Sequence, residues 1–525
     1  MSLCAAILLG LSLTLSAQPP LDLVITGGRI VDGSGSPYFY ADLGIRADTI
    51  AEIGRLDGRP ARLRVEATGL TLTPGFIDVH SHAIGGIYDV PSAENCIRQG
   101  VTTVIEGPDG SSPLPLKPAL EKLANTPISI NFGMCVGHGR IRGSVIGSER
   151  RQATPEELER MKDLARQAML DGAFGLSTGL FYVPGNYATT EEVIEIAKVV
   201  GKLGGFHVSH MRDEANGILD SVRETIRIGE EGGLPTQITH HKVIGKANWG
   251  KSAETLRLVE EARARGVDVT IDQYPYTASS TSLGAALFPQ WAFAGGAQAL
   301  SERLKAPQQR AQIKLEVARR IENERGGGDP RNIVFARCGF DSSLSGKSLA
   351  DATRARGRAV TVENAAETAL EIQERGGCSA IFHAIQEEDV IRILKYPHTM
   401  VASDGGVPVF GVDNPHPRSY GTFARILGRY VRELRAIPLE DAVRKMSGLP
   451  AQRIKLWDRG LLRPGMKADV VIFDPKVVAD RSEFLKPHQY AVGVRDVLVN
   501  GKFALRDGKM TAERPGRVVY GPAKQ

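Results

Sequence analysis

The middle of the chain alternates short apolar runs with amphipathic segments of helical periodicity. The segment TPEELERMKDLARQAMLDG begins with Thr154 as an N-cap, has Glu157 closing a capping box and stops at Gly172. The same pattern, followed at once by a short apolar strand, recurs in residues 189–205 and 252–268. A repeat of strand and helix is typical of a parallel sheet covered by helices. We therefore predict an α/β fold in which residues 74–456 close into a (β/α)8 (TIM) barrel.

Nine candidate strands compete for the eight positions of that barrel. Their C-terminal ends lie near His80, Glu106, Val136, Thr178, His210, His240, Tyr274, His383 and Asp404. Residues 284–350 contain a long amphipathic helix and an extra strand, so we expect an insertion there. The seventh strand is then either the one ending at Tyr274 or the one ending at His383.

The two ends of the chain have a different pattern. Residues 21–73 contain alternating apolar positions punctuated by Gly-Gly and Asp-Gly, which indicate hairpins. Residues 457–525 repeat this pattern. We expect the two ends to pair into one small β-sandwich beside the barrel.

The first residues and the cysteines bear on the compartment. Residues 3–15 are apolar and are followed by SAQPP, a length that is too short for a bilayer span and typical of a secretory signal peptide. We place the signal at residues 1–17, although it has no positive charge before the apolar run, and expect a secreted or periplasmic protein without a membrane span. The five cysteines form no CxxC pair and are too widely spaced for a disulfide scaffold.

Composition narrows the possible partners. The 65 basic and 60 acidic residues leave a net charge of only +5, and no run of five Lys or Arg could follow a phosphate backbone. A nucleic-acid partner is therefore not expected. The 58 glycines indicate many tight turns, and turns at strand ends carry the active sites of α/β barrels.

Polar residues at the strand ends form the candidate site. The first barrel strand, TPGFIDVHSH, ends with His80 and His82, which point the same way and can reach one ion. His210 and His240 end two later strands, and Asp404 follows another in SDGG. Because barrel strands end at one face, these residues suit one or two divalent transition ions such as zinc. A different role for Asp404, as a turn-forming residue before Gly, stays open.

This arrangement, between two halves of a β-sandwich, resembles the amidohydrolase superfamily. Within that superfamily, motifs in the same order resemble the N-acyl-D-amino-acid deacylases (D-aminoacylases): GVTTVIEG, VGHGRIR, GAFGLSTGLFYVPG, VSHMRDE, ITHHK, NWGKS, DQYPYTASSTSL, SDGG and HPRSYGTFARILGRY. The resemblance covers nearly the whole chain from about residue 22. It implies a zinc-dependent hydrolase that cleaves the amide bond of a small molecule, an N-acyl-D-amino acid.

One turn departs from the pattern of that family. The turn after the second strand usually carries a cysteine metal ligand, in GNCG, whereas this chain has EGPDG with Asp109 in the position of the cysteine. Glu106, at the end of the strand, is a second carboxylate that could reach the metal. Either of the two can therefore be the ligand. An oxygen ligand is harder than a thiolate, which favours a bridged pair of ions or a less zinc-selective site.

The resemblance also implies roles for residues around the metal. Asp404 is expected to act as general base and then general acid. By position, the substrate carboxylate is expected to be clamped by Lys242, Tyr274, Ser280 and Arg418. Arg418 is the physically preferred anchor because a guanidinium pairs with a carboxylate through two hydrogen bonds. His138, flanked by glycines, is expected to line the pocket.

Two other functions stay open at this point. The same scaffold could act on a dipeptide or a cyclic amide, which an activity panel would reveal. The chain could also be an exported, non-catalytic receptor for acyl amino acids whose altered metal turn has removed activity. A metal assay tests that second alternative, because a receptor could be metal-free.

Overall fold

The computed structural model describes residues 19–524, so the expected signal peptide at residues 1–17 lies outside the described residues. A barrel occupies the middle of the chain, and the two ends build a separate β-domain. Across residues 19–524, no helix combines the length and the apolar character needed to cross a bilayer.

Eight parallel strands, which we number barrel strands one to eight, form the barrel. In chain order they are Phe76–Asp78, Val101–Glu106, Asn131–Met134 with its continuation Val136–Gly137, Gly175–Gly179, Phe206–His210, Thr236–Ile238, Val269–Gln273 and Thr399–Val401. Beyond strands one and eight, Ser81–His82 pairs in parallel with Gly405–Gly406. The Asp404 N–H donates to the His80 carbonyl at 2.9 Å. These contacts close the barrel and bring the last strand beside the first.

Barrel strand seven is the strand that ends at Tyr274. Val269–Gln273 pairs with strands six and eight. The strand that ends at His383, Ser379–Phe382, instead pairs antiparallel with Ser279–Ser282 and Ile333–Arg337 in a separate sheet. The inserted subdomain therefore extends beyond the expected 284–350 at both ends.

The insertion has its own apolar core. This core includes Phe288, Ile313, Phe335, Leu370 and Phe382, all fully buried. A disulfide between Cys338 and Cys378 links the segments that flank its sheet strands. This cross-link strengthens the insertion.

Helices surround the barrel and fill the insertion. The α-helices are Glu94–Ile97, Lys117–Ala124, His138–Val145, Pro155–Asp171, Thr190–Lys202, Ile218–Gly232, Ser252–Ala264, Leu283–Leu287, Gly296–Lys305, Pro307–Arg320, Leu349–Arg354, Val362–Glu374, Glu387–Lys395, Arg418–Arg425, Leu439–Met446 and Gly448–Ile454, with π-helical turns at Ile321–Arg325 and Ile426–Glu433. The predicted capping box is present: the Thr154 hydroxyl accepts from the Glu157 N–H at 3.2 Å and Glu157 accepts from the Thr154 N–H at 2.9 Å. Gly172 ends that helix with a φ of 118°.

Both chain ends contribute to one nine-stranded mixed sheet, so they pair into one β-domain as expected. Its strands are Leu21–Ile30, Phe39–Arg46, Thr49–Gly54, Ala61–Glu66, Thr71–Pro74, Val470–Phe473, Val494–Val499, Lys502–Arg506 and Lys509–Met510. Antiparallel pairing of Thr71–Pro74 with Val470–Phe473 joins the two ends. Beyond the sheet, the C-terminal segment returns to the barrel, where the Phe132 N–H donates to the Arg517 carbonyl at 2.9 Å.

Candidate metal centre

The C-terminal ends of barrel strands one, five, six and eight bring four histidines and an aspartate together at one mouth of the barrel. These residues are His80, His82, His210, His240 and Asp404. The mouth opens into a cavity of about 800 Å³. The convergence expected from strand-end positions is therefore present in the folded chain.

Asp109 lies between two groups of these residues. On one side, its Oδ1 is 3.6 Å from His80 Nε2 and its Oδ2 is 3.5 Å from His82 Nε2. On the other side, its Oδ1 is 3.4 Å from both His210 Nδ1 and His240 Nε2. A carboxylate in this position can bridge two ions.

Asp404 completes the first group. Its Oδ1 is 3.1 Å from His82 Nε2 and 3.6 Å from His80 Nε2. The candidate ligand atoms within each group lie within 4.8 Å of one another. The first group thus offers two nitrogens and two oxygens, and the second group offers two nitrogens and a shared oxygen.

The hydrogen bonding of these atoms tests whether a metal fits. Both ring nitrogens of His80 and the Oδ1 of Asp109 are buried and have no hydrogen-bond partner in the described part of the chain. Buried polar atoms without partners are unfavourable. Because imidazole and carboxylate donors suit divalent transition ions, the two groups fit one or two such ions.

Three residues of the site have backbone conformations that non-glycine residues rarely adopt. The φ angles are 56° at Asp109, 33° at His240 and 51° at Asp404. Left-handed conformations at non-glycine residues are held by the surrounding structure and cluster at functional sites. Here they occur where the chain turns over the barrel mouth and the side chain reaches the site.

Glu106 lies outside both groups. Its Oε2 accepts a hydrogen bond from the Ile84 N–H at 2.9 Å, and burial raises the pKa of its carboxyl. Of the two carboxylates left open by the sequence, the folded chain therefore brings Asp109, rather than Glu106, against the histidines. The reason is geometric: Asp109 belongs to the turn that crosses the mouth, whereas Glu106 is still in strand two.

The charge states of the two carboxylates and of His210 suit a metal, whereas burial opposes protonation of His82 and His240 but neighbouring carboxylates raise the pKa of both. Burial opposes ionisation of Asp109, but His80 and His210 hold its pKa well below the ordinary value. Burial likewise opposes ionisation of Asp404, yet Arg418 and His80 hold its pKa low. Burial lowers the pKa of His210. Ionised carboxylates and a neutral imidazole are the forms that bind metal.

The four residues expected to clamp a substrate carboxylate line the same cavity: Lys242, Tyr274, Ser280 and Arg418. The Arg418 guanidinium lies 4.8 Å from the Tyr274 ring centroid, and its Nη2 donates to the Ser280 carbonyl at 3.4 Å. Its Nη1 is also 2.8 Å from Asp404 Oδ2. Arg418 therefore orients the candidate proton carrier as well as facing the cavity.

His138 does not line the cavity, contrary to the expectation from its glycine neighbours. Its ring is fully buried, and its Nε2 lies 3.0 Å from Glu192 Oε1. The next two residues, Gly139 and Arg140, line the cavity instead. Gly139 thus provides the close backbone approach, while His138 anchors the start of its helix.

Comparison with known proteins now adds to this geometry. A model of the amidohydrolase family matches residues 64–504. The chain belongs to the amidohydrolase family. This amidohydrolase is 38% identical to the D-aminoacylase of Alcaligenes xylosoxydans xylosoxydans, over 96% of this chain and 98% of the relative.

Two solved structures are similar to this amidohydrolase over its length. One is the N-acyl-D-glutamate deacylase of Bordetella bronchiseptica, complexed with zinc and a phosphonate that mimics the tetrahedral intermediate (TM-score 0.82, 36% identity, 96% of this chain and 100% of that chain). The other is a D-aminoacylase with a binuclear metal centre, in which one metal activates the enzyme and the second attenuates it. Its TM-score is 0.81 at 36% identity, over 95% of this chain and 100% of that chain.

Two carboxylates that the sequence did not single out support the histidines of this amidohydrolase. Glu214 Oε1 is 3.1 Å from His240 Nδ1 and 2.5 Å from Lys242 Nζ. Asp272 Oδ1 accepts from the His240 N–H at 2.6 Å and lies 3.8 Å from His80 Nδ1. Carboxylates behind metal-binding imidazoles orient the rings and increase their basicity.

The sequence did contain signals for both residues. Glu214 follows His210 by four positions in the VSHMRDE motif, and Asp272 is the one charged residue in strand seven, VTIDQ. Neither signal predicts which residue the carboxylate contacts, because the contacts with the histidines form only when strands five, six and seven lie side by side.

Replacing Glu214 by Gln is expected to weaken zinc binding by about 10- to 100-fold, because His240 loses a charged partner and Lys242 is left unpaired beside it. Competition with a chromophoric chelator measures this affinity. Glu192→Gln is a matched control, since it disturbs a buried Glu–His pair, with His138, outside the metal groups. Equal zinc affinity in wild type and Glu214→Gln would contradict the supporting role.

Proposed function

We propose that this amidohydrolase removes the acyl group from N-acyl-D-amino acids and releases a carboxylate and a free D-amino acid. The observation that carries the proposal is the pair of metal-ligand groups bridged by Asp109 at the edge of a cation-lined cavity. Similarity over nearly the full length to a D-aminoacylase and an N-acyl-D-glutamate deacylase supports the substrate class.

The protein would hold zinc through the two groups described above, His80, His82, Asp109 and Asp404 on one side and His210, His240 and the shared Asp109 on the other. Zinc held there would polarise the substrate carbonyl and lower the pKa of a water molecule. The residues of the chain do the remaining work, which is to orient the substrate and to move a proton.

Asp404 is the residue placed to move the proton. Arg418 Nη1 holds its Oδ2 at 2.8 Å, which leaves Oδ1 beside His82 at the cavity edge. Asp404 Oδ1 accepts the proton of the attacking water and then donates it to the amide nitrogen as the C–N bond breaks. The leaving group is thereby released as a neutral amine.

Chirality follows from two separate anchors. The α-carboxylate is bound by the clamp residues Lys242, Tyr274, Ser280 and Arg418, while the scissile carbonyl is held at the metal-ligand groups. Two fixed ends leave the side chain of the amino acid one direction that avoids the cavity wall. A site with this geometry distinguishes D from L substrates.

The test is release of free amino acid from N-acetyl-D-leucine and N-acetyl-L-leucine by chelator-stripped protein, before and after addition of zinc. We expect zinc-dependent release from the D substrate with little from the L substrate. A dipeptide and a cyclic amide are included in the same panel. Preference for the L substrate, faster cleavage of the dipeptide or the cyclic amide, or full activity of the stripped protein would each contradict the proposal.

We also propose that the protein is secreted or periplasmic and acts on a small molecule rather than on a nucleic acid. The apolar run at residues 3–15 and the disulfide between Cys338 and Cys378 support export, because disulfides persist in oxidising compartments. Cell fractionation with N-terminal sequencing of the product tests this. Uncleaved protein in the cytoplasm would contradict it.

A further inference from the structure

Four cationic side chains line the catalytic cavity: Arg140, Lys242, Arg325 and Arg418. Arg418 is paired with Asp404 and Lys242 with Glu214, at 2.8 and 2.5 Å. Arg140 is exposed to solvent. Arg325 is buried like Arg418 and Lys242, but the proposed mechanism assigns it no role.

Arg325 is only 4% exposed, yet its guanidinium forms no ion pair with a carboxylate in the described residues 19–524. Its Nε is fully buried without a partner. Burial removes part of the solvation of a guanidinium, so an anion that reaches this wall of the cavity would pair with it favourably.

Arg325 occupies a different wall of the cavity from Arg418. It ends the π-helical turn Ile321–Arg325 of the inserted subdomain, and its guanidinium lies 5.2 Å from the Phe181 ring centroid. Phe181 in turn stacks on His210, with ring centroids 5.4 Å apart. Arg418 instead lies over Tyr274, after barrel strand seven. The cavity therefore presents two guanidinium groups on two separate aromatic rings.

Charge balance also favours a second anion. The carboxylates of the cavity wall, Asp109, Asp404 and Glu214, are already engaged by the histidines, Arg418 and Lys242. A substrate with a single carboxylate joins the existing Arg418–Asp404 pair and leaves Arg325 without an anion. A substrate with two carboxylates satisfies both.

We propose that Arg325 binds a second carboxylate of the substrate, so that the preferred substrate is a dianion. This inference rests on the proposed function and narrows its substrate class. The second carboxylate belongs either to an acidic side chain of the D-amino acid or to the far end of a dicarboxylic acyl group. Both present the same planar group, which a guanidinium binds through two hydrogen bonds.

The location of Arg325 separates substrate choice from chemistry. The metal ligands and Asp404 come from the barrel, whereas Arg325 comes from the insertion, which has its own apolar core. A change of residue 325 is therefore expected to alter substrate preference more than hydrolysis itself, and zinc content checks this because Phe181, which Arg325 contacts, stacks on His210.

The experiment compares kcat/KM of the zinc-loaded protein for N-acetyl-D-leucine, N-acetyl-D-glutamate and N-succinyl-D-leucine. We expect the wild type to prefer one of the two dianions. In Arg325→Gln, the ratio of kcat/KM for that dianion to kcat/KM for N-acetyl-D-leucine should fall by about 30-fold or more. Which dianion loses its advantage identifies the position of the second carboxylate.

Two further variants keep the test interpretable. Arg325→Lys retains the charge and should retain part of the preference that Arg325→Gln loses. Arg331→Gln, at an exposed arginine of the same insertion, should leave the ratio unchanged. Thermal unfolding and zinc content are measured for every variant, so that a folding defect is recognised.

Three results would overturn the inference. The first is a ratio of kcat/KM for the dianion to kcat/KM for N-acetyl-D-leucine that is the same in Arg325→Gln as in the wild type. The second is an equal loss of kcat/KM on all three substrates, which would mean that Arg325 binds the α-carboxylate or stabilises the fold. A wild type that prefers N-acetyl-D-leucine is the third. Failure of the wild type to hydrolyse any of the three would instead contradict the proposed function itself, and this inference with it.

Discussion

Asp404→Asn is expected to lower turnover by about 10²-fold or more, the range associated with loss of a general acid or base. An amide has nearly the size of the carboxylate, but it cannot accept the proton of water and return it to the leaving nitrogen. Turnover is measured on N-acetyl-D-leucine and expressed per bound zinc, because Asp404 also lies among the candidate metal ligands.

The control for Asp404→Asn is Asp413→Asn. Asp413 follows Asp404 by nine positions and also has a positive φ, 62°, but it pairs with Arg337 away from the metal groups. This variant should keep normal turnover. If Asp404→Asn also turned over normally per bound zinc, Asp404 would be a turn-forming residue, as its place before two glycines allows.

Asp109→Asn is expected to lose most of the bound metal and, with it, most of the activity. Asp109 faces four imidazoles from two sides, so its loss removes a charge from both ligand groups at once. The loss should exceed the roughly 10- to 100-fold weakening expected when a carboxylate behind a ligand is removed. Elemental analysis after dialysis against a weak chelator measures the metal content of each variant.

Two variants bracket the effect of Asp109→Asn. Glu106→Gln changes a carboxylate three residues away that bonds to the Ile84 N–H, and it should retain the metal. Asp109→Cys supplies a thiolate, a strong zinc ligand, and should retain zinc better than Asp109→Asn. If Glu106→Gln lost metal and Asp109→Asn did not, the assignment of the ligand on this turn would be reversed.

Local patterns of the sequence were sufficient for much of the fold. The capping box of Thr154 and Glu157 depends on residues three positions apart, and the pair of His80 and His82 depends on residues two positions apart just after strand one. Both are short-range effects, so they can be predicted without a tertiary structure. The barrel and the β-domain follow from repeated patterns of the same kind.

The tertiary structure decided which of two similar apolar runs forms barrel strand seven. The apolar runs that end at Tyr274 and at His383 are both short strands, and periodicity does not distinguish a barrel strand from a strand of an insertion. The pairing of Val269–Gln273 with strands six and eight resolves this. Strand pairing is a long-range property, because the partners lie more than 100 residues apart in the case of strand eight.

The residues of the site show the same distinction between local sequence patterns and long-range contacts. By itself, the sequence determined that four histidines and Asp404 end strands of one barrel, because residue type and strand position are local. Only the tertiary structure decided that Asp109 rather than Glu106 meets them, that His138 turns toward Glu192, and that Arg325 from the insertion reaches the cavity. Each of these depends on which distant side chains the packed chain brings within a few ångströms, and on how burial sets the energy of the charges it encloses.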